Sequence, residues 1–529
     1  MQLVKLAPTG ATRGWFRAMD HCVSDKLHLS RTQVAALWWT IGAFLAVRVL
    51  AMFTLPITDT TEARYAEMAR KMAETGRWLA PQDKYGVSFW GKPPLSTWLS
   101  AGGIELFGVN GFAVRLPVLL VSLGLLWLVF IWVRSLVGRN TALVSVAVLF
   151  SMATFFGASA FVMTDMPMAL GTTLAMIGFW NGTCRDTPHK AWGFAMFGGL
   201  AIGMLAKGPV SLVLFLIPNV LWLAVRNEWG RLSRLPWQWG AVILIGLTVP
   251  WYAAAEYATP GFLRYFLIGE HIERFLVPGW AGDLYGGGHH FTRGSIWVFW
   301  TGAIRPWSYV ALLPLLIKVR SAVRTVRSDE KGWLLYLFLW AISPLILFTL
   351  AANILPAYTI PGLPASAILM VVVYTRLWPD APGKWPRYIF VVGAAISLAF
   401  FGAVAVLAKT APDILALKSH ERLVEKAHNL LPGAPIYRVE WRSFSAEYYT
   451  GGKVRFIKLE ELKTLDPGAE IALSVPFVYD AEVSALGYRR VGELGRGNVL
   501  FVPETAMKAE RSVSHDSDSG NRLKHEDRD

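Results

Sequence analysis

Residues 34–71 read VAALWWTIGAFLAVRVLAMFTLPITDTTEARYAEMARK, and the nature of the whole chain turns on them. The stretch 34–53 carries one charge, Arg48, and has the length of about 20 residues that a helix needs to cross hydrocarbon with every backbone polar group satisfied internally. From Asp59 onward the text changes to Asp59, Glu62, Arg64, Tyr65, Glu67, Arg70 and Lys71 separated by Ala and Met, the pattern of an amphipathic helix lying on a membrane surface. A spanning helix that hands the chain to a charged surface helix predicts a membrane protein with polar chemistry at its boundary.

Composition agrees along all 529 residues. Hydrophobic residues make up 54% and charged residues 17%, with 24 Trp and 29 Phe, whereas a soluble domain carries roughly a quarter charged residues. An ordinary soluble enzyme and a disordered chain are both excluded. The net charge of +14 comes from basic residues scattered between apolar runs, which is how loop charges set topology, so no nucleic-acid partner is expected. Cys22 and Cys184 give neither a disulfide framework nor metal-ligand spacing. No metal site and no cofactor is identified, and a divalent-metal requirement stays open.

Further apolar runs near 112–133, 141–160, 166–183, 191–206, 209–225, 237–254, 295–317, 333–352, 357–375 and 388–408 bring the expected spans to about eleven, with up to thirteen if Pro94–Phe107 contributes. Residues 1–33 carry Lys5, Arg13, Arg17, Lys26 and Arg31 without a signal-type core and are expected in the cytoplasm. Eleven spans threaded from there leave the basic loops inside and place 54–111, 255–294 and everything after 408 outside. Residues 409–505 alternate in short strand-like runs around a helical stretch and predict a small α/β domain, followed by a disordered charged tail at 506–529. The expected fold is therefore an all-α polytopic membrane domain, 34–408, carrying a small external α/β domain.

Candidate site residues gather in the segments expected outside. Asp59 and Glu62 open the surface helix, where an N-terminal capping pattern explains them as well as chemistry does. Phe89-Trp90-Gly91-Lys92-Pro93-Pro94 holds Lys92 in a rigid stretch suited to gripping a phosphate as a point charge. Asp165 begins a span, where a charge beside hydrocarbon is costly and marks function. Lys207 stands in the tight turn Lys207-Gly208-Pro209, His271 and Arg274 share a face if helical, and Tyr358 lies in Leu355-Pro356-Ala357-Tyr358. Together they read as one polar cavity for an anionic ligand.

In this order the motifs resemble the integral-membrane GT-C glycosyltransferases, in the branch of the aminoarabinose:lipid A transferases and the protein O-mannosyltransferases. The carriers are Asp59-x-Thr-Glu62-Ala-Arg64-Tyr65-Ala-Glu67, Gly91-Lys92-Pro93-Pro94, Asp165, Lys207-Gly208-Pro209, Glu270-His271-Ile272-Glu273-Arg274-Phe275 and Leu355-Pro356-Ala357-Tyr358-x-x-Pro361. The resemblance implies a GT-C fold and inverting transfer of a sugar from a polyprenyl-phosphate donor, such as undecaprenyl phosphate, to lipid A or lipopolysaccharide core on the periplasmic face of a bacterial inner membrane. It implies Asp59 or Glu62, and Asp165, as the acidic residues. Arg64, Tyr65, Lys92, Lys207, His271, Arg274 and Tyr358 would bind the donor. The acidic pair is split by Thr60 and Thr61, Gly91 replaces an acid before Lys-Pro, and Ile354 replaces a base before Leu-Pro, which leaves the sugar open. Transfer to protein is the enzymatic alternative and a lipid or sugar transporter the non-enzymatic one.

Overall fold

A computed structural model describes residues 27–286, 289–310, 312–378, 384–415, 417–466 and 468–504. The expectations for residues 1–26 and for the tail 506–529 fall outside that set. Helices occupy all eleven expected spans. Those used below are α1 (Arg31–Thr54), α2 (Thr61–Thr75), α3 (Leu95–Phe107), α4 (Gly111–Val137), α5 (Arg139–Ser151), α6 (Asp165–Thr183), α7 (Lys190–Lys207), α8 (Val210–Arg226) and α9 (Trp237–Ala258). A π-helix at Arg264–Glu273 follows, then α10 (Trp333–Thr349), α11 (Leu363–Leu377) and α12 (Lys384–Thr410). Among the described residues five helical stretches are long and apolar enough to cross a membrane, and α5, α8 and α10 are shorter apolar helices. This is a multi-pass membrane protein.

Two expected spans are broken. The stretch 141–160 ends its helix at Ser151, turns extended at Met152 and restarts as Ala153–Ala158. The stretch 295–317 stops at Ala303 and resumes at Trp307, because Pro306 has no amide hydrogen to continue the ladder. The breaks satisfy one another: the Ala153 amide donates to the Arg305 carbonyl at 2.9 Å. Exposed backbone groups have no water to turn to at membrane depth, so such pairing is what makes the breaks tolerable.

The described residues fold into two compact units, one within 27–50, 77–99 and 115–402, the other within 51–76, 100–114 and 403–504. In the first, α6 and α7 approach until their backbones nearly touch. A Cβ added at Gly171 would meet the Gly199 carbonyl oxygen at 2.6 Å, and one at Gly199 would meet the Gly171 carbonyl oxygen at 2.5 Å. Small residues at a helix crossing are how membrane helices gain van der Waals contact where no hydrophobic drive separates helix from lipid. The antiparallel hairpin sets the first residue of α6, Asp165, beside the last of α7, Lys207.

The second unit contains a five-stranded mixed sheet in the order β4-β3-β5-β7-β6, built from β3 (Ile436–Val439), β4 (Arg455–Ile457), β5 (Ala472–Pro476), β6 (Tyr488–Glu493) and β7 (Asn498–Pro503). The strands β1 (Gln82–Lys84) and β2 (Val87–Ser88) form a separate hairpin in the first unit. Strands β3, β4 and β5 run parallel, while β7 is antiparallel to β5 and β6. Helix α13 (Glu421–Leu430) packs Leu423, Val424 and Ala427 on one sheet face, and Val483 and Leu462 cover the other. The expected strands at 436–441, 454–457, 470–478 and 498–502 correspond to β3, β4, β5 and β7. The additional strand β6 lies at the sheet edge, where Arg489 and Arg490 obscure its alternation in the sequence.

Candidate active site

The first unit brings Lys92, Asp165, Lys207, His271, Arg274 and Tyr358 into one polar cluster. Lys92 follows the β1–β2 hairpin, and its loop is pinned where the Trp90 amide donates to the Tyr285 hydroxyl at 2.7 Å and the Trp90 indole donates to Thr259 at 3.2 Å. Glu270 occupies the middle of the cluster. It accepts from Lys92 Nζ at 2.7 Å, from Arg274 Nη1 at 3.0 and 3.1 Å and from the Tyr265 hydroxyl at 3.2 Å. Arg274, four residues on, also faces Asp283 at 3.4 Å. Lys207 pairs with Asp165 and lies 4.5 Å from the centre of the Tyr358 ring. An acid at a helix N-terminus and a base at a C-terminus each suit the local dipole, so α6 and α7 hold their own ends in charge register.

Gly208 makes the turn possible. Its φ of +89° is one that side-chain-bearing residues rarely adopt, and a Cβ there would meet the Phe266 ring at 2.5 Å and His271 Nε2 at 3.2 Å. His271 Nδ1 contacts the Phe266 carbonyl at 2.7 Å. Burial pushes the His271 imidazole down and outweighs the contacts that would raise it, so the ring is neutral at pH 7. It fixes the Lys207–Gly208 turn against the π-helix. Burial likewise lowers the Lys92 ammonium; Glu270 pulls it back up, while Arg274 and Lys207 push it down. That mutual repulsion identifies three cations facing one region. Glu270, in turn, is pushed up by burial but held low by Lys92 and Arg274.

Asp59, Glu62, Arg64 and Tyr65 belong to the second unit. There Asp59 Oδ2 accepts from the Ser443 and Ser445 hydroxyls at 2.8 and 2.6 Å, and Oδ1 accepts from the Ser445 amide at 2.9 Å. His420 Nδ1 is 3.7 Å from Oδ2, and His420 Nε2 reaches Ser474 on β5 at 3.0 Å. Burial raises the Asp59 carboxyl, yet the neighbouring His420 and the hydrogen bonds from Ser445 and Ser443 bring it below the ordinary aspartate range. The Ile57 amide donates to the Tyr449 hydroxyl at 2.6 Å, and Lys71 pairs with Glu447 at 2.8 Å. Glu62 accepts from the Thr58 amide at 3.3 Å, and the Arg64 guanidinium lies 4.8 Å from the Phe444 ring centre. Tyr65 is buried on α2.

Glu270, Asp283 and Tyr265 join the cluster without standing out as site residues in the sequence. Glu270 carries one signal, its i,i+4 spacing to Arg274. Gly91, where the resemblance calls for an acid, leaves Lys92 without a neighbouring carboxylate, and Glu270 supplies one from 178 residues away. The His420, Ser443 and Ser445 cradle of Asp59 has no local signal.

A fold of this kind, with a cation cluster at the ends of apolar helices, defines a multi-pass membrane protein of GT-C architecture. The sequence family described as dolichyl-phosphate-mannose-protein mannosyltransferase matches residues 34–266. The undecaprenyl phosphate-alpha-4-amino-4-deoxy-L-arabinose arabinosyl transferase of Edwardsiella ictaluri (strain 93-146) is 30% identical over 387 residues, 71% of this chain and 65% of the relative. Its namesake in Aeromonas salmonicida (strain A449) is 26% identical over 410 residues, 75% and 69% of the two chains. The crystal structure of ArnT from Cupriavidus metallidurans bound to undecaprenyl phosphate matches with a TM-score of 0.71 at 19% identity, covering 89% of this chain and 98% of that one. The chain is similar to these transferases over most of its length and shares the fold of that crystal structure. It spans 65%, 59% and 63% of three of the curated relatives it matches.

Proposed function

We propose that the protein is an inverting glycosyltransferase that moves a sugar from a polyprenyl-phosphate donor, undecaprenyl phosphate being the carrier its relatives are named for, to lipid A or lipopolysaccharide core. The active site faces the periplasm and the protein resides in the inner membrane. One observation carries the reading: Lys92, Lys207 and Arg274, supplied by three distant segments, converge in one unit. In transfer the bond between the anomeric carbon and the phosphate oxygen breaks, its electron pair leaves with the phosphate, and the acceptor oxygen bonds to the opposite face of the carbon. Negative charge grows on the departing phosphate, and fixed cations lower the barrier to that departure. Lys92, Lys207 and Arg274 bind the phosphate, with Tyr358 packed against Lys207.

Asp165 is the carboxylate of the reaction. It takes the proton of a hydroxyl acceptor or, for an anionic lipid A phosphate that needs no base, steadies the positive sugar carbon. His271 positions the Lys207 turn. Asp59, with both oxygens occupied and its carboxyl held low, is a weak base and secures the first loop to the α/β domain, with Glu62, Arg64 and Tyr65 on the same segment. Support for a donor on a lipid phosphate comes from the cations; support for a lipid A acceptor comes from the relatives' branch. Mass spectrometry of lipid A and core oligosaccharide from a deletion strain tests the reading. A sugar mass lost on deletion and restored by the wild-type gene but not by Lys92→Met is expected; unchanged lipid A and core refute it.

A further inference from the structure

A second charged cluster lies at the opposite end of α6 from Asp165, outside the proposed sugar-transfer site. Over 19 residues α6 rises about 28 Å, roughly one hydrocarbon thickness. At its far end a cavity of about 300 Å³ is lined by five cations, Arg185, Arg226, Arg231, Arg234 and Lys331, against three carboxylates. Two cations are matched within it: Arg231 with Glu228 at 2.6 Å, and Lys331 with Asp186 at 2.8 Å. The rest make mainly neutral contacts. Arg185 donates to Asn181 and Ser135, Arg234 donates to the Thr183 carbonyl at 2.7 Å, and Arg226 donates to the Glu330 carbonyl at 2.5 Å with Glu228 no nearer than 3.9 Å.

Capping the last carbonyls of α6 accounts for Arg231 and Arg234, which both reach Thr183. It does not account for Arg185 or Arg226. The Nε of Arg226 is buried without a hydrogen-bond partner, a donor whose desolvation is uncompensated. Trp229 and Trp237 are both about half exposed on the adjoining segment, and indoles in such positions mark the level of lipid headgroups. A concave group of guanidinium forks at headgroup level suits a phosphate oxyanion, which accepts bidentate donors.

We propose that this cavity binds the phosphate of an anionic phospholipid headgroup in the leaflet opposite the sugar-transfer site. The test uses the full chain in vesicles of phosphatidylcholine alone or mixed with phosphatidylglycerol. Wild type should gain thermal stability from phosphatidylglycerol and retain it in native mass spectrometry. Arg226→Gln with Arg234→Gln should lose most of the gain, with about tenfold weaker retention for each charged hydrogen-bonding group removed. Arg320→Gln with Arg324→Gln, exposed residues outside the cavity, removes the same charge and should keep it. Arg226→Gln alone, which leaves both helix caps intact, gives the same reading if the double variant fails to fold. Equal losses in the cavity and control variants, or no gain in wild type, overturn the proposal. So does a full gain from inorganic phosphate in phosphatidylcholine, which would assign the cavity to a free anion.

Discussion

Replacing Glu270 with Gln tests the arrangement of the candidate site without emptying any volume. Glu270 has 2% of its side chain exposed, while Lys92 and Arg274 retain 19% and 24%. Breaking a fully buried ion pair costs about 3–5 kcal/mol, and the partial exposure of both cations reduces this to roughly 2–3 kcal/mol. An amide keeps one acceptor but turns two donor hydrogens toward Lys92, Arg274 and Tyr265. The cations swing away from the donor phosphate, and at 1.4 kcal/mol per tenfold the loss is about 10² in kcat/KM. Initial rates of sugar transfer between a purified polyprenyl-phosphate sugar and lipid A in detergent measure it, with a melting curve to establish that the variant is folded. Lys92→Met combined with Glu270→Gln should lose less than the product of the single losses, because the two residues act as one unit. A folded Glu270→Gln protein within about threefold of wild type would disprove the premise that Glu270 fixes the cations.

The Lys207–Asp165 pair should behave the same way: Lys207→Gln and Asp165→Asn each abolish most transfer, and the double variant is no worse than the poorer single one, as rates would reveal. Gly208→Ala should lower the melting temperature and the transfer rate together, since φ of +89° and the Phe266 ring both oppose a Cβ; a variant with wild-type melting would contradict that. In the second unit, burial depresses the His420 imidazole, so the unfolded chain binds its proton more readily than the folded one. Its contribution is complete above the unfolded value near 6.5 and falls away as pH drops toward the depressed folded value. Denaturation followed between pH 7 and 5, taken as the approximate window around that value, should show the second unit weakening, with a flatter profile in His420→Gln. Asp59→Asn should destabilise the same unit by about 1–3 kcal/mol, because three hydrogen-bond donors around it lose a charged acceptor; a stable variant with abolished transfer would instead return Asp59 to the chemistry.

Spans are legible in the sequence because the bilayer imposes one demand, backbone satisfaction over a fixed length, and 34–53, 112–133 and 388–408 meet it without reference to any neighbour. Lys92 and Lys207 are legible as well, since a charge between apolar segments beside proline or glycine has few structural uses. Charge pairing is not. Glu270 reads as one acid among several in Glu270-His271-Ile272-Glu273, and only the π-helix, with the Lys92 loop folded against it, selects it over Glu273. Asp59 shows the same dependence: its position after the first span suggests catalysis, and only the folded chain brings Ser443 and Ser445, more than 380 residues away, onto its oxygens, with His420 Nδ1 3.7 Å from Oδ2. Hydropathy and turn chemistry are properties of neighbours in the chain, so residue order is enough to specify the helices and to nominate side chains for the proposed phosphate site. Which carboxylate neutralises which cation depends on distances between remote segments, and those exist only once the chain has folded.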